Sequence, residues 1–180
     1  MPSKTKRKGK SPRQKDQNNT LLYAIHAADN GNSYVGVTNN FERRLREHNG
    51  IVKGRGARYT RRKKVNTRKP NWSPIFKVTG LPSRRQALQF EKLFHRGFRG
   101  RRLVKLPRKP RNPFGSDTAA RRAWYLYWAL QKERFSKQET VATKRLRLVI
   151  EWSRADFYAT AKRLSDWGPA SVRHILVHSG

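Results

Sequence analysis

The chain has 180 residues, with 43 Lys and Arg against 11 Asp and Glu, for a formal net charge of +32. Soluble domains of this size ordinarily carry a net charge of about 2–8 in magnitude. A chain this basic needs a polyanion, and nucleic acid is the obvious one, because its phosphates give basic proteins a salt-sensitive grip; a metabolic enzyme for a neutral metabolite is disfavoured. With no cysteine, a disulfide scaffold, Cys-ligated zinc, an iron–sulfur cluster and a cysteine nucleophile are excluded. No apolar run approaches the ~20 residues of a membrane span, and no signal-peptide core follows Met1. Five tryptophans and 35% hydrophobic residues predict a folded core, since disordered basic chains lack such aromatics.

Residues 1–19 have no large apolar residue after Met1 and read as a disordered basic arm. Residues 20–98 read as the first domain. Leu21 to Ile25 is an apolar run of strand length, Asp29-Asn30-Gly31-Asn32 a turn, and Ser33 to Val37 the returning strand, together a β-hairpin. Thr38 or Asn39 caps a helix ending at Asn49-Gly50, with Phe41, Arg44, Leu45 and His48 on one face by i, i+3, i+4 spacing. Residues 53–69 are a long loop with nine Lys and Arg and no acid. Trp72 to Thr79 is a third strand, and Ser83 caps a second helix whose apolar surface comes from Ala87, Leu88, Phe90, Phe94 and Phe98. Glu91 lies within that surface, where a carboxylate is costly unless paired or bound to a cation.

Residues 99–116 form a basic linker punctuated by Pro107, Pro110 and Pro113. Residues 117–180 form a helix-and-strand extension: a helix from Thr118 to Phe135 marked by Trp124, Tyr127, Trp128 and Leu130, a strand in which Leu146, Leu148, Ile150 and Trp152 alternate, a helix from Ala155 to Trp167, and a last strand over His174–His178. This extension either completes the first domain's core or forms a separate nucleic-acid-binding module. In the second case Arg121, Arg122, Lys144, Arg145 and Arg147 contact phosphates beside Trp124, Tyr125 and Tyr127.

The order hairpin, helix, strand, helix carries Tyr23, Tyr34, Arg44, His48 and Glu91. Leu21-Leu22-Tyr23 and Tyr34-Val35-Gly36 stand where GIY-YIG nucleases carry their two name motifs, and Arg44 follows Tyr34 by ten residues. The stretches YVGVTNNFERRLREHNG, GARYTRR and NWSPIFKVTGLPSRRQALQFE resemble the catalytic subunit of the eukaryotic Slx-type structure-selective endonuclease. The resemblance covers about residues 20–98. It departs in the missing leading glycine, where Leu21 stands, and in the zinc-binding RING-like domain of that branch, which a chain without cysteine does not build. Docking to a scaffold through such a domain is therefore not expected.

The resemblance implies an α+β fold with a small antiparallel three-stranded sheet flanked by helices, followed by the C-terminal α/β extension. It also implies hydrolysis of DNA phosphodiesters with one divalent metal, Mg²⁺ or Mn²⁺. Glu91 is then the metal ligand, a hard oxygen suited to an ion that keeps most of its waters. Arg44 offers its planar fork to the phosphate. Tyr23 is the general base, its phenolate made accessible by nearby cations; Tyr34 orients water or phosphate, and His48 relays a proton or holds the phosphate. Arg43, Arg58, Arg61, Arg62, Lys63 and Lys64 are the expected DNA-backbone contacts. Such contacts position a substrate without reading sequence, which favours branched DNA: flaps, forks and junctions in repair or recombination.

Two other readings fit the charge. One is a non-catalytic RNA- or DNA-binding protein that retains the fold, such as a ribosomal or other ribonucleoprotein component; the other is a sequence-targeted homing or restriction nuclease with its specificity in residues 99–180. The expected location is intracellular: the nucleus, a viral replication site or the mitochondrion.

Overall fold

The computed structural model describes residues 20–27, 31–52, 55–62, 71–99, 118–132, 142–164, 167–168 and 170–177. The arm 1–19, the linker 100–116 and Lys63 and Lys64 therefore lie outside the described residues. The elements are β1 (Leu21–Ala27), β2 (Asn32–Thr38), α1 (Phe41–His48), α2 (Arg58–Arg62), β3 (Trp72–Thr79), α3 (Arg84–Arg99), α4 (Thr118–Leu130), a 3-10 turn (Thr143–Arg145), β4 (Arg147–Trp152), α5 (Ala155–Arg163) and β5 (Ser171–Leu176).

The strands form one sheet in the order β2-β1-β3-β4-β5. The hairpin is antiparallel in the register Tyr23↔Gly36, Ile25↔Tyr34, and Gly31 at its turn has φ 63°, a left-handed conformation that suits glycine. β3 pairs antiparallel with β1, giving the three-stranded sheet that the resemblance implies. Pro74 lies inside β3, beside a register shift at Ala24/Ile25. A residue with no N–H is tolerated at such an irregularity.

The sheet does not stop there. β4 pairs antiparallel with β3 and β5 runs parallel to β4, so the C-terminal residues widen the three-stranded sheet to five. A parallel pair needs a crossover, and α5 supplies it. Sequence could not place this pairing, because residues of β3 and β4 meet across a long linker whose geometry no local pattern encodes.

One face of the sheet holds the main core. Leu22, Ala24, Val35, Phe76, Val78, Ile150 and Trp152 pack with Phe90 and Phe94 of α3 and with Ala123, Leu126 and Leu130 of α4. The opposite face holds a smaller cluster, Tyr23, Ile25, Ala27, Phe41 and Trp72, covered by α1. Successive strand residues point to opposite faces, so β1 feeds both layers. α1 is capped by Asn40, whose Oδ1 accepts from the Arg43 N–H, and not by Thr38 or Asn39; Thr38 instead bonds the Asn40 backbone. Ser83 caps α3 as expected, accepting from the Gln86 N–H. Leu88, placed on the apolar surface by spacing, is exposed.

The loop at 53–69 contains the short helix α2. α4 ends at Leu130, with Gln131 and Lys132 in a turn, and α5 at Arg163. β5 lies three residues earlier than the predicted strand. Among the described residues no helix is long and apolar enough to cross a membrane.

Trp152 is fully buried in the core that both halves share. Trp152→Ala should cost about 3–5 kcal/mol and shift one cooperative denaturation transition as a whole. A biphasic curve in which the hairpin signal survives would show that the halves fold separately.

Candidate active site

Tyr23 is fully buried at the centre of the α1 face. Its position depends on Gly36, its cross-strand partner: a Cβ there would lie 2.6 Å from the Tyr23 hydroxyl and 2.9 Å from the Tyr34 ring. The tyrosine rings occupy the volume that any other residue at position 36 would fill. This is the physical content of the Tyr34-Val35-Gly36 motif.

α1 brings the next residues by its 3.6-residue period. His48 Nε2 lies 2.7 Å from the Tyr23 hydroxyl, and Arg44 Nε donates to the same hydroxyl at 3.3 Å. Arg44 Nη1 also donates to Glu47 Oε2 at 2.7 Å, while Arg43 Nε sits 3.8 Å from Glu47 Oε1. The end of α1 is clamped to β3 by Asn49, whose side chain donates to the Trp72 carbonyl at 3.0 Å and accepts from the Trp72 N–H at 2.7 Å. On its far side His48 Nδ1 lies 2.8 Å from the Thr60 hydroxyl of α2.

Tyr34 completes the cluster. Its ring centroid is 5.0 Å from His48, 6.3 Å from Tyr23, 6.4 Å from His95 and 6.3 Å from Tyr59, which stacks on it. Glu91 approaches from α3 and its charge is felt at Tyr34 and more weakly at Tyr23. Glu91 Oε1 stands 3.6 Å from His95 Nε2, too long for a hydrogen bond. All five residues singled out in the sequence, Tyr23, Tyr34, Arg44, His48 and Glu91, thus gather around the middle of the hairpin, where Tyr23 faces Gly36 and Tyr34 faces Ile25.

Burial sets the electrostatics. It raises the Tyr23 phenol well above the usual tyrosine value, Tyr34 adds to the rise, and Arg44 only partly offsets it. The expected easing of ionisation by cations is outweighed, so the free protein holds Tyr23 as a phenol. Tyr34 is raised by burial and by Glu91. Burial drives His48 down to about 4, with Arg44 adding to the effect, so the imidazole is neutral at neutral pH. Burial opposes the Arg44 charge, but hydrogen bonds to Glu47 and Tyr23 prevail and keep it a firm cation. Glu47 is lowered chiefly by its Arg44 hydrogen bond.

Sequence reasoning missed four neighbours: Glu47, Tyr59, Thr60 and His95. Glu47 and His95 sit at helical spacing from Arg44 and Glu91, and Tyr59 and Thr60 stand in the GARYTRR stretch; these were the available signals. The expected phosphate ligand Arg122 is instead buried, donating from Nε to Ser33 Oγ at 2.8 Å and from Nη2 to the Ser33 carbonyl. Among the expected DNA contacts, Arg43 and Arg58 are exposed and Arg61 and Arg62 lie on α2.

The GIY-YIG catalytic domain family model matches residues 19–102. By that match, a little under half of the chain is similar to a GIY-YIG catalytic domain. An uncharacterized protein of Acanthamoeba polyphaga mimivirus is 33% identical over 89 residues, 49% of this chain and 49% of its own length. Structure-specific endonuclease subunit slx1 of Xenopus laevis is 34% identical over 97 residues, 54% of this chain and 32% of its own. The subunit of that name from Talaromyces stipitatus is 50% identical over 58 residues, 32% of this chain and 14% of its own. The chain thus spans about half the length of the mimivirus relative and a third or less of the two endonuclease subunits. The span matched by the family model includes every residue of the Tyr23 cluster.

Gly36→Ala should destabilise the protein by about 1–3 kcal/mol and move the His48 imidazole signals, because the phenol is pushed off Nε2; unchanged signals would contradict the packing. His48 also predicts a pH dependence. An unfolded histidine titrates near 6.5 and the folded one near 4, so between these values the unfolded chain binds a proton that the folded chain refuses. Stability is full above about pH 6.5 and declines as pH falls to about 4. His174, likewise held near 4 by burial, acts in the same window, so His48→Gln should remove about half of the slope seen in urea denaturation at stepped pH.

Proposed function

We propose that the protein is a divalent-metal-dependent endonuclease that nicks branched DNA. The observation that carries this is the convergence of Tyr23, Tyr34, Arg44 and His48 with Glu91 in a GIY-YIG domain whose relatives include subunits named as structure-specific endonucleases.

Among the described residues no group of three or more His, Asp or Glu side chains is gathered around one point. Glu91 alone is the candidate ligand, and it fits: its carboxylate is part-exposed and meets its ion-pair partner His95 only at 3.6 Å, leaving oxygen lone pairs for an ion that retains most of its water. When bound there, Mg²⁺ or Mn²⁺ would supply charge neutralisation at the phosphate and the leaving oxygen.

The protein's own groups supply the rest. Arg44, fixed by Glu47, turns its remaining donors to a non-bridging oxygen. Tyr23 accepts the proton of the attacking water while its own proton passes to His48 Nε2, which is neutral and 2.7 Å away. This exchange avoids the buried phenolate that Tyr23 resists forming. Tyr23 is sealed in the free protein, so the part-exposed Tyr34 or Arg44 moves aside as the phosphate docks; such tightening on substrate is common.

DNA binds along the side that bears Arg43 of α1 and Arg58 of α2. α2 touches the centre directly through Tyr59 and Thr60, so phosphates held there flank the scissile bond. These contacts read backbone and shape. The proposed place of action is the nucleus or a viral replication site, in keeping with the eukaryotic and viral sources of the relatives.

Purified protein should nick flap and junction substrates with Mg²⁺ or Mn²⁺ and leave linear duplex largely uncut. Glu91→Gln should lower the rate by at least about 100-fold with the same melting temperature. Metal-independent nicking, or an unaffected Glu91→Gln rate, would overturn the proposal. Co-purification with RNA in high salt together with no nicking would favour the non-catalytic alternative.

A further inference from the structure

His48 is held at both ring nitrogens, and the hydrogens can be counted. The Thr60 hydroxyl donates its one hydrogen to the Ala57 carbonyl at 3.0 Å. It has none left for His48 Nδ1 at 2.8 Å, so Nδ1 is the donor and Thr60 Oγ1 the acceptor. A neutral imidazole protonated at Nδ1 has its lone pair at Nε2. The 2.7 Å contact at Nε2 then runs from the Tyr23 hydroxyl to His48, and Arg44 Nε donates to the same tyrosine oxygen. The chain of donors has one direction: Tyr23 to His48 to Thr60 to Ala57.

The segment that ends this chain is firmly placed. Gly56, just before Ala57, has φ 97°, and a Cβ there would lie 2.7 Å from the Glu47 carbonyl. The backbone before α2 therefore presses against the last turn of α1, one residue from His48. Thr60 is itself 1% exposed, which removes it from DNA contact and from the role of a solvated loop hydroxyl. Tyr59 beside it donates to Asn32 Oδ1 at 3.2 Å and stacks on Tyr34, so α2 is pinned to the hairpin as well as to α1.

Resting on the nuclease reading, we infer that Thr60 is a positioning residue that locks His48 in the Nδ1–H tautomer, so that Nε2 is open to receive the Tyr23 proton during cleavage. Without the lock, the imidazole divides between two tautomers. The Nε2–H form donates towards Tyr23 and cannot take its proton. The comparable loss when a catalytic histidine is left in the wrong tautomer in serine proteases is large.

Two measurements test this. The first needs no variant: ¹⁵N-labelled protein, without DNA or metal, is examined for imidazole nitrogen shifts, with His48 assigned among the five histidines by His48→Gln. The lock predicts a single neutral tautomer protonated at Nδ1; a His48 signal of the Nε2–H form would overturn it. The second compares Thr60→Val, which keeps the shape and removes the acceptor, with Thr60→Ser, which keeps the hydroxyl. Thr60→Val should show mixed His48 tautomers and a kcat at least about tenfold lower, with KM for a junction substrate within about twofold. Thr60→Ser should restore both the tautomer and the rate. An unmixed tautomer or an unchanged kcat in Thr60→Val would overturn the inference. If the wild-type protein nicks nothing, the nuclease reading fails, whereas the nitrogen shifts bear only on the lock.

Discussion

The Tyr23 hydroxyl is the point around which this domain is arranged. It lies in the space above Gly36 that no other residue at that position could leave empty, and it is bonded from one helix by both Arg44 and His48. Each contact constrains another element. Gly36 fixes the hairpin register, because a one-residue slip would set a side chain against the ring. Arg44 and His48 fix the rotation of α1, since only the i, i+4 spacing brings both to one oxygen. Asn49 then fixes how far α1 extends along β3. Tyr23 is held in place because it is also a structural member of the smaller core.

The C-terminal residues support that arrangement from the opposite face. β4 and β5 extend the sheet beyond β3, and α4 packs with α3 over the larger core. Through that packing α3 holds Glu91 near Tyr34. Arg122 reaches the edge strand and bonds both the hydroxyl and the carbonyl of Ser33, next to Tyr34. A cation in the core is costly unless hydrogen-bonded, and burial holds this one down to about 10. Its bonds brace β2 where β2 delivers Tyr34. The extension and the catalytic domain are thus joined by shared packing.

Much of this was legible in the sequence. The hairpin, α1, β3 and α3 announce themselves by period, turn residues and caps, and the five central residues were identifiable from motif spacing. What escaped notice had physical reasons. Glu47 looks like one more charge on a solvated helix face, and only the third dimension shows it buried beneath Arg43 and Arg44. Thr60 stands in the GARYTRR stretch, but there the cations draw attention, and only the fold shows its hydroxyl against His48. Arg122 reads as a surface cation because its partner, Ser33, is 89 residues away. The ionisation of Tyr23 was misjudged for a related cause: sequence shows the charges that would ease it, but not the burial that opposes it more strongly. Of the +32 charge, the structure places Arg44 against the Tyr23 hydroxyl and Arg122 in the core.

The proposed cleavage depends on Tyr23 passing a proton to His48. Its most direct test is the single-turnover nicking rate of Tyr23→Phe on a flap substrate with Mg²⁺. This variant keeps the ring above Gly36 and removes only the hydroxyl. The expected result is a fall of at least about 100-fold with DNA affinity close to wild type, while the lost buried hydrogen bonds to His48 and Arg44 lower stability by about 1–3 kcal/mol. Cleavage at the wild-type rate would contradict it.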